Sequence, residues 1–257
     1  MGRRKFKYPA CINAWPLGAI GADFIMTQPD KLYGLEIPYN KTVDELVQLS
    51  KEKPPVCWTA YTALSYDKTA KSIQALDDLL ANKDWTHVRS AIEAIGRNIN
   101  GKELEDKLIG FLASSNKFIV TAAIKSLSEL KSVKAHDKIK ALFNSENIEI
   151  KKAAFEGISN IWEAADFDFL IQVYKTSTNE RLRKTIGFVL AEHVNEANWK
   201  KLFDLFHNDN ITRHRDWSLV LANQFSKDQI LVDMFLNDKD GHIRRKAKQF
   251  RDPTKSA

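Results

Sequence analysis

The stretch "DWTHVRSAIEAIG", Asp84 to Gly96, puts an aspartate, a tryptophan, a histidine and an arginine within six residues. That grouping suits an active site, and it equally suits one unit of a helical repeat. The rest of the chain decides. Relatives of the stretch recur as "VCWTAYTALS" from Val56, "HVRSAIEAIG" from His87, "IVTAAIKSLS" from Ile119, "IKKAAFEGIS" from Ile150, "LRKTIGFVLA" from Leu182, "RHRDWSLVLA" from Arg213 and "IRRKAKQFRD" from Ile243. Their starts lie 31, 32, 31, 32, 31 and 30 residues apart. Self-similarity at so steady a period marks a stacked repeat array.

Within each unit the fourth place after the start is small or apolar (Ala60, Ala91, Ala123, Ala154, Ile186, Trp217, Ala247), and the eighth is a large aliphatic in the first six (Leu64, Ile95, Leu127, Ile158, Leu190, Leu221). That spacing is one buried face of a helix. Upstream of most starts lies a second apolar set, such as Leu76, Leu79 and Leu80 or Leu108, Phe111 and Leu112. Each unit therefore reads as helix, turn, helix. Between the two helices comes a polar pair: Asn82 and Asp84, Ser114 and Asn116, Ser145 and Asn147, Ser177 and Asn179, Asn208 and Asn210, Asp238 and Asp240. Short polar side chains cap the unpaired amides of a helix start, so the second member of each pair is expected to begin the second helix.

A hairpin of about 31 residues cannot bury its apolar face alone, so the units must stack. The expected fold is all-α: an armadillo-like α-α superhelix of seven hairpins over residues 43–251, with 1–42 as an irregular cap or arm and 252–257 as a tail. The Asp/Asn turn followed by a Val-Arg-x-Ala-Ala helix, seen in "DWTHVRSAIEAIG" and "DGHIRRKAKQF", resembles the short HEAT repeats of the phycobilisome-lyase type. The resemblance implies the fold. It leaves function open, because such repeats serve scaffolds, lyases, hydroxylases and DNA-repair enzymes alike.

Composition narrows the classes. Of the 257 residues, 44% are hydrophobic and 28% charged, which suits an ordinary soluble protein. Cys11 and Cys57 stand far apart, which argues against a disulfide framework or a cysteine zinc site and places the chain in the cytoplasm by default. The basic, then apolar N-terminus mimics a secretory signal, but Asn13, Pro16 and Asp23 break the run. No membrane contact is expected. Residues 1–42 hold Pro9, Pro16, Pro29 and Pro38, with apolar Trp15, Ile20, Phe24, Ile25 and Met26 between them, so this segment has something to bury. The net charge of +6 sits at the two ends of the chain, with the middle mildly acidic.

Searches for chemistry return little. There is no Gly-rich phosphate loop, no H-E-x-x-H and no G-x-S-x-G. The histidines lack a second ligand at helical spacing, so neither a metal nor a cofactor is expected. What remains is a series of basic residues two places after the starts, Arg89, Lys152, Lys184, Arg215 and Arg245, which either joins neighbouring turns by hydrogen bonds or meets phosphates. Units five to seven add Arg181, Arg183, Arg213, Arg244 and Lys248.

Departures from the pattern point to a site. Six places after the start, Phe188 and Leu219 replace polar residues, and they form either an apolar patch on the concave face or part of the core. Trp217 replaces alanine opposite the small Gly187, as volume exchange or as an aromatic wall beside Asp216. The main expectation is a non-enzymatic scaffold whose concave groove binds a protein partner, acidic or carrying an amphipathic segment, through Phe188, Leu219, Arg183, Arg215 and Arg245, with Trp58 and Tyr66 at the first unit. The alternative is nucleic-acid binding through Arg181, Arg183, Arg213, Arg215, Arg244, Arg245, Lys248 and Trp217. In the form similar to the HEAT-like alkylpurine DNA glycosylases, Asp216 or Asp166 would stabilise a sugar cation.

Overall fold

The polar pairs build the helix starts. In the computed structural model, which describes residues 28–226 and 228–252, Asp84, Asn116, Asn147, Asn179 and Asp240 are the N-caps of five helices and accept backbone amides at 2.8–3.1 Å. In four of these turns the first member of the pair braces the second. Asn82 accepts the amide of Asp84 at 2.8 Å, Ser114 that of Asn116 at 3.2 Å, Ser145 that of Asn147 at 3.2 Å and Asp238 that of Asp240 at 2.7 Å. Each turn thus satisfies orphan amides with its own side chains and needs no tertiary contact to do so.

In chain order the helices are α1 (Val43–Leu49), α2 (Val56–Tyr66), α3 (Ala70–Leu79), α4 (Trp85–Arg97), α5 (Glu105–Phe111), α6 (Lys117–Glu129), α7 (His136–Ala141), α8 (Ile148–Ile158), α9 (Ala164–Thr176), α10 (Glu180–Glu192), α11 (Trp199–Phe206), α12 (Thr212–Phe225), α13 (Ile230–Asp233) and α14 (Gly241–Arg251). Odd and even members pack as antiparallel neighbours, and α2, α4, α6, α8 and α10 also stack on one another in series. The α4–α6 approach is close because Gly96 faces Ser126: a Cβ on Gly96 would fall 2.7 Å from the Ser126 backbone. The Ser126 hydroxyl seals the contact by donating to the Ile92 carbonyl at 2.8 Å.

The expected buried stripe is present. Ala60, Ala91, Ala123, Ala154 and Ile186 are fully buried, as are Leu64, Ile95, Leu127, Ile158 and Leu190. They belong to one continuous apolar core that reaches from Ile37 to Trp217 and Leu221. A second core gathers Phe203, Leu219, Ala222, Val232, Phe235, Ile243 and Ala247.

The sixth turn departs from the expected register. Asn210 does not cap α12; the N-cap is Ile211, whose amide is held by the Asp209 carboxylate at 2.7 Å. The whole helix is therefore set one residue later than even spacing suggested, and one residue turns a side chain by about 100° around the axis. Ser218 and Ala222, not Trp217 and Leu221, take the places of the small and large stripe residues, at 0% and 1% exposure. Leu219 rotates into the terminal core at 0% exposure. Trp217 and His214 then stand between α10 and α12, which approach less closely than the preceding pairs. Gly187 makes room for the histidine: a Cβ there would meet the His214 ring at 2.5 Å.

Before α1, residues Lys31–Leu32 (β1) and Leu35–Glu36 (β2) form a two-stranded antiparallel hairpin against α2. Its turn residues Tyr33 and Gly34 both have positive φ, as a tight hairpin of this kind requires. Ile37 is buried below it, and Tyr39 donates to the Pro29 carbonyl at 2.8 Å. Trp15, Ile20, Phe24, Ile25 and Met26 lie outside the described residues. Among the described residues no helix is long and apolar enough to cross a membrane.

Candidate functional site

The surface of the even-numbered helices is a lattice of short ion pairs. Arg89 meets Glu93 at 2.9 Å, Arg97 meets the same carboxylate at 3.9 Å, Lys125 meets Glu129 at 3.9 Å and Lys152 meets Glu156 at 3.5 Å, each one helical turn apart. Lys184 reaches back to Glu180 at 2.5 Å. The basic series therefore neither joins neighbouring turns nor stands free at Arg89, Lys152 and Lys184; it is neutralised within its own helices. Exposed pairs of this kind add little stability, and their balanced charges give this stretch no single-signed field.

One feature breaks the polar lattice. Trp85 and Phe118, in the first turns of α4 and α6, stack with ring centroids 5.0 Å apart and planes at 17°, yet remain 41% and 42% exposed. Lys117 sits over the Phe118 ring at 5.1 Å. Beside them a hollow of about 240 Å³ opens between α6 and α8, lined by Lys117, Phe118 and Thr121 on one side and by Glu149, Lys152, Ala153 and Glu156 on the other. Two large rings stacked against each other but open to water form a rigid apolar anchor with charges around its rim, the composition of interface hot spots. Sequence reasoning missed this pair because its members precede the repeating stripe. The available signal was aromatic side chains at helix starts where later units carry Glu149, Glu180 and Arg181.

The residues expected to line a groove are not brought together. Phe188 is 40% exposed, with its ring 6.5 Å from that of Trp217, but Leu219 is inside the terminal core, so the two form no patch. Arg215 is 3% exposed and Trp217 is 6% exposed, which removes both from any open surface. Trp58 is half-buried against Tyr33, and Tyr66 is half-buried edge-on to Tyr39. Both aromatics hold the β-hairpin segment, far along the stack from Phe188. Arg245 is exposed.

The aspartates considered for catalysis are engaged in joints between hairpins. Asp166, 1% exposed, accepts from His136 at 2.8 Å and from Lys140 at 2.7 Å. Burial pushes its carboxyl up, but these hydrogen bonds prevail and hold it below the usual value. Asp216 pairs with Lys246 at 2.7 Å. Among the cations expected to meet phosphate, Arg181 pairs with Glu149 at 3.0 Å and Arg183 with Asp209, while Arg213 and Lys248 are exposed.

Two buried polar clusters carry strongly shifted groups. Between α9, α10 and α12, Tyr174 donates to Asp209 at 2.5 Å and lies 2.6 Å from Nδ1 of His214, with the Arg183 guanidinium over the Tyr174 ring at 4.8 Å. Desolvation drives His214 down to about 4, so the ring is neutral near pH 7. Where α8 and α10 end, Ser159 Oγ lies 2.8 Å from Nε2 of His193 and 2.9 Å from the Glu192 carboxylate, and the His193 ring stacks flat on Trp162 at 3.8 Å. Burial pulls His193 down to about 4 and pushes Glu192 up to about 7. This serine–histidine contact lacks the order of a nucleophilic triad, since the carboxylate bonds to the serine and not to the imidazole. Among the described residues no group of three or more His, Cys, Asp or Glu is placed to hold a metal ion.

Capped hairpins stacked in series over a continuous core define an all-α superhelix with a HEAT-like helical fold. No family model matches the sequence, and no curated protein does. Among known structures, a homology model of the full-length AP-3 complex in an intermediate open conformation is similar at a TM-score of 0.53 and 16% identity, covering 85% of this chain and 51% of that one. The complex of CpcE and CpcF of phycocyanin lyase from Nostoc sp. gives a TM-score of 0.41 at 14% identity over 82% of this chain and 81% of that one. The chain thus spans about half the length of the AP-3 chain it matches. Likeness at these identities concerns the fold alone.

Proposed function

We propose that this chain is a non-enzymatic HEAT-like scaffold that binds a protein partner on the surface formed by its even-numbered helices, with residues 43–251 as the repeat array of seven hairpins, 1–42 as its cap and 252–257 as a tail. The observation that carries the reading is the exposed Trp85–Phe118 stack beside the α6–α8 hollow. A partner helix with an amphipathic face would lay apolar side chains on these rings and set a carboxylate of its own against Lys117. Phe188 and Arg245 remain on the surface as further contacts. Arg215 and Leu219 do not.

The nucleic-acid reading has less support. Arg181, Arg183 and Arg215 are already paired with carboxylates, and Asp166 and Asp216 are spent on neighbouring cations. Affinity capture from native extract with wild-type protein and with Trp85→Ala/Phe118→Ala tests the proposal. The double variant should keep its helical content and lose a protein that the wild type retains. Equal recovery of every co-eluting protein would refute this surface, and a steep fall of duplex-DNA affinity with salt would favour nucleic acid instead.

A further inference from the structure

The last described hairpins, α11 to α14, are joined by arginines. Arg183, Arg215 and Arg244 each stand four places after an N-cap: Asn179, Ile211 and Asp240. The first two reach forward to the next hairpin. Arg183 pairs with Asp209 and Arg215 with Asp238, and each of these aspartates stands two places before the next N-cap and holds its amide at 2.7 Å. The C-terminal hairpins therefore follow one rule: an arginine on the second helix of one unit takes the acidic turn residue of the next. Val88, Val120 and Lys151 occupy the same place in earlier units, where the next turns offer Ser114, Ser145 and Ser177 and no acid, so the arginine–aspartate rule belongs to this end of the chain.

Arg244 reproduces half of this geometry. Arg215 uses Nη1 for the carbonyl six residues upstream, Asp209, at 2.8 Å and turns its other nitrogens to the Asp238 carboxylate. Arg244 uses Nη1 for the carbonyl six residues upstream, Asp238, at 2.6 Å. It is exposed, and among the described residues it forms no ion pair. The same hairpin leaves Ile230 68% and Met234 49% exposed, while Arg245 and Lys248 add positive charge and α14 contains no acidic residue.

We propose that the α13–α14 hairpin is a docking face for a helical hairpin of another protein, whose interhelical turn carries an aspartate or glutamate that Arg244 receives as Arg215 receives Asp238. A second copy of this chain is a poorer occupant. End-to-end pairing would oppose Arg244, Arg245 and Lys248 to themselves, and in head-to-tail pairing the turn of the first hairpin puts Lys53 two places before its N-cap Pro55, with Glu52 flanked by Lys51 and Lys53.

Two measurements test this. Duplicating residues 224–252 after Asp252 places the copied Asp238 23 residues beyond Arg244, the spacing that separates Arg215 from Asp238. The lengthened chain should unfold at a higher urea concentration than the wild type, with the gain removed by Arg244→Met or by Asp→Asn in the added turn. An unchanged midpoint, or a gain indifferent to both substitutions, would overturn the proposal. In the second, a photo-crosslinking amino acid at Met234 in the full chain should link, in native extract, to a helical hairpin of another protein close to an acidic turn residue. Arg244→Glu should reduce that product at least tenfold, and charge reversal of the acid should restore it. Cross-linking to this same chain, to nucleic acid or to nothing would refute the occupant proposed.

Discussion

Arg215 clamps two successive turns together: Nε and Nη2 meet the Asp238 carboxylate at 2.8 and 3.1 Å, while Nη1 meets the Asp209 carbonyl at 2.8 Å. Both side chains of this pair are almost wholly excluded from water, at 4% and 6% exposure. Removing one partner leaves a buried charge uncompensated, so Arg215→Met should cost about 3–5 kcal/mol in urea unfolding. Burial pushes the Asp238 carboxyl up, but Arg215 overcomes it and holds the group below its ordinary 3.8. A depressed carboxylate stabilises above its ordinary value and loses that contribution as pH falls through the folded one. The deficit of Asp238→Asn relative to wild type should therefore persist from pH 8 to 4 and shrink only in stronger acid.

Glu192 and His193 act in opposite directions on stability. Glu192, raised to about 7 from 4.5, contributes stability that is complete below pH 4.5 and is lost as pH rises to about 7. His193, lowered to about 4 from 6.5, contributes stability that is complete above pH 6.5 and is lost as pH falls to about 4. Between these limits each supplies a slope of up to about 1.4 kcal/mol per pH unit, and the two offset. Glu192→Gln should make the protein more stable above pH 7 and expose a rise of stability with pH between 4 and 6.5. His193→Gln should expose the reverse trend, which thermal unfolding across that range would read directly.

Glycine at a close helix contact differs from glycine on an open one. Gly96→Ala places a methyl 2.7 Å from the Ser126 backbone and should destabilise by about 1–3 kcal/mol through overpacking. Gly110, in α5, has nothing within 4 Å of an added Cβ. Gly110→Ala should stabilise by about 0.5–1 kcal/mol, because alanine loses less freedom than glycine on entering a helix. Denaturation midpoints of the two variants should move in opposite directions.

The shifted register of α12 predicts unequal costs for two apolar residues that even spacing treats alike. Leu219→Ser empties a fully buried site and should cost at least the roughly 2–5 kcal/mol of a leucine-to-alanine change. Phe188→Ser, at a side chain 40% exposed, should cost about 1 kcal/mol. Similar losses from the two would contradict the placement of Ile211 as the helix start.

The all-α class, the helix-turn-helix period, five of the helix starts and the buried stripe through Ala91 and Ile95 are all legible in the order of the residues. These are local properties: a polar side chain caps the amides that follow it, and a residue's face is set by its distance from that cap. In the opening stretch Asp84 is a cap, and Arg89 is paired one turn along with Glu93. His87, 3.2 Å from the Tyr61 hydroxyl, joins neighbouring helices. The rest depends on contacts between hairpins. One residue of slip at Ile211 moved Leu219 from an expected surface to the core, since each residue turns a helix by about 100° and spacing alone cannot show which turn residue caps. The basic series, which sequence left as either a ladder between turns or a set of phosphate contacts, is divided: Arg89, Lys152 and Lys184 pair one turn away on their own helices, Arg215 joins two turns and Arg245 is exposed, because how the hairpins stack decides which acid each cation reaches. The Trp85–Phe118 anchor exists only because stacking brings two helix starts, 33 residues apart in sequence, to within ring contact.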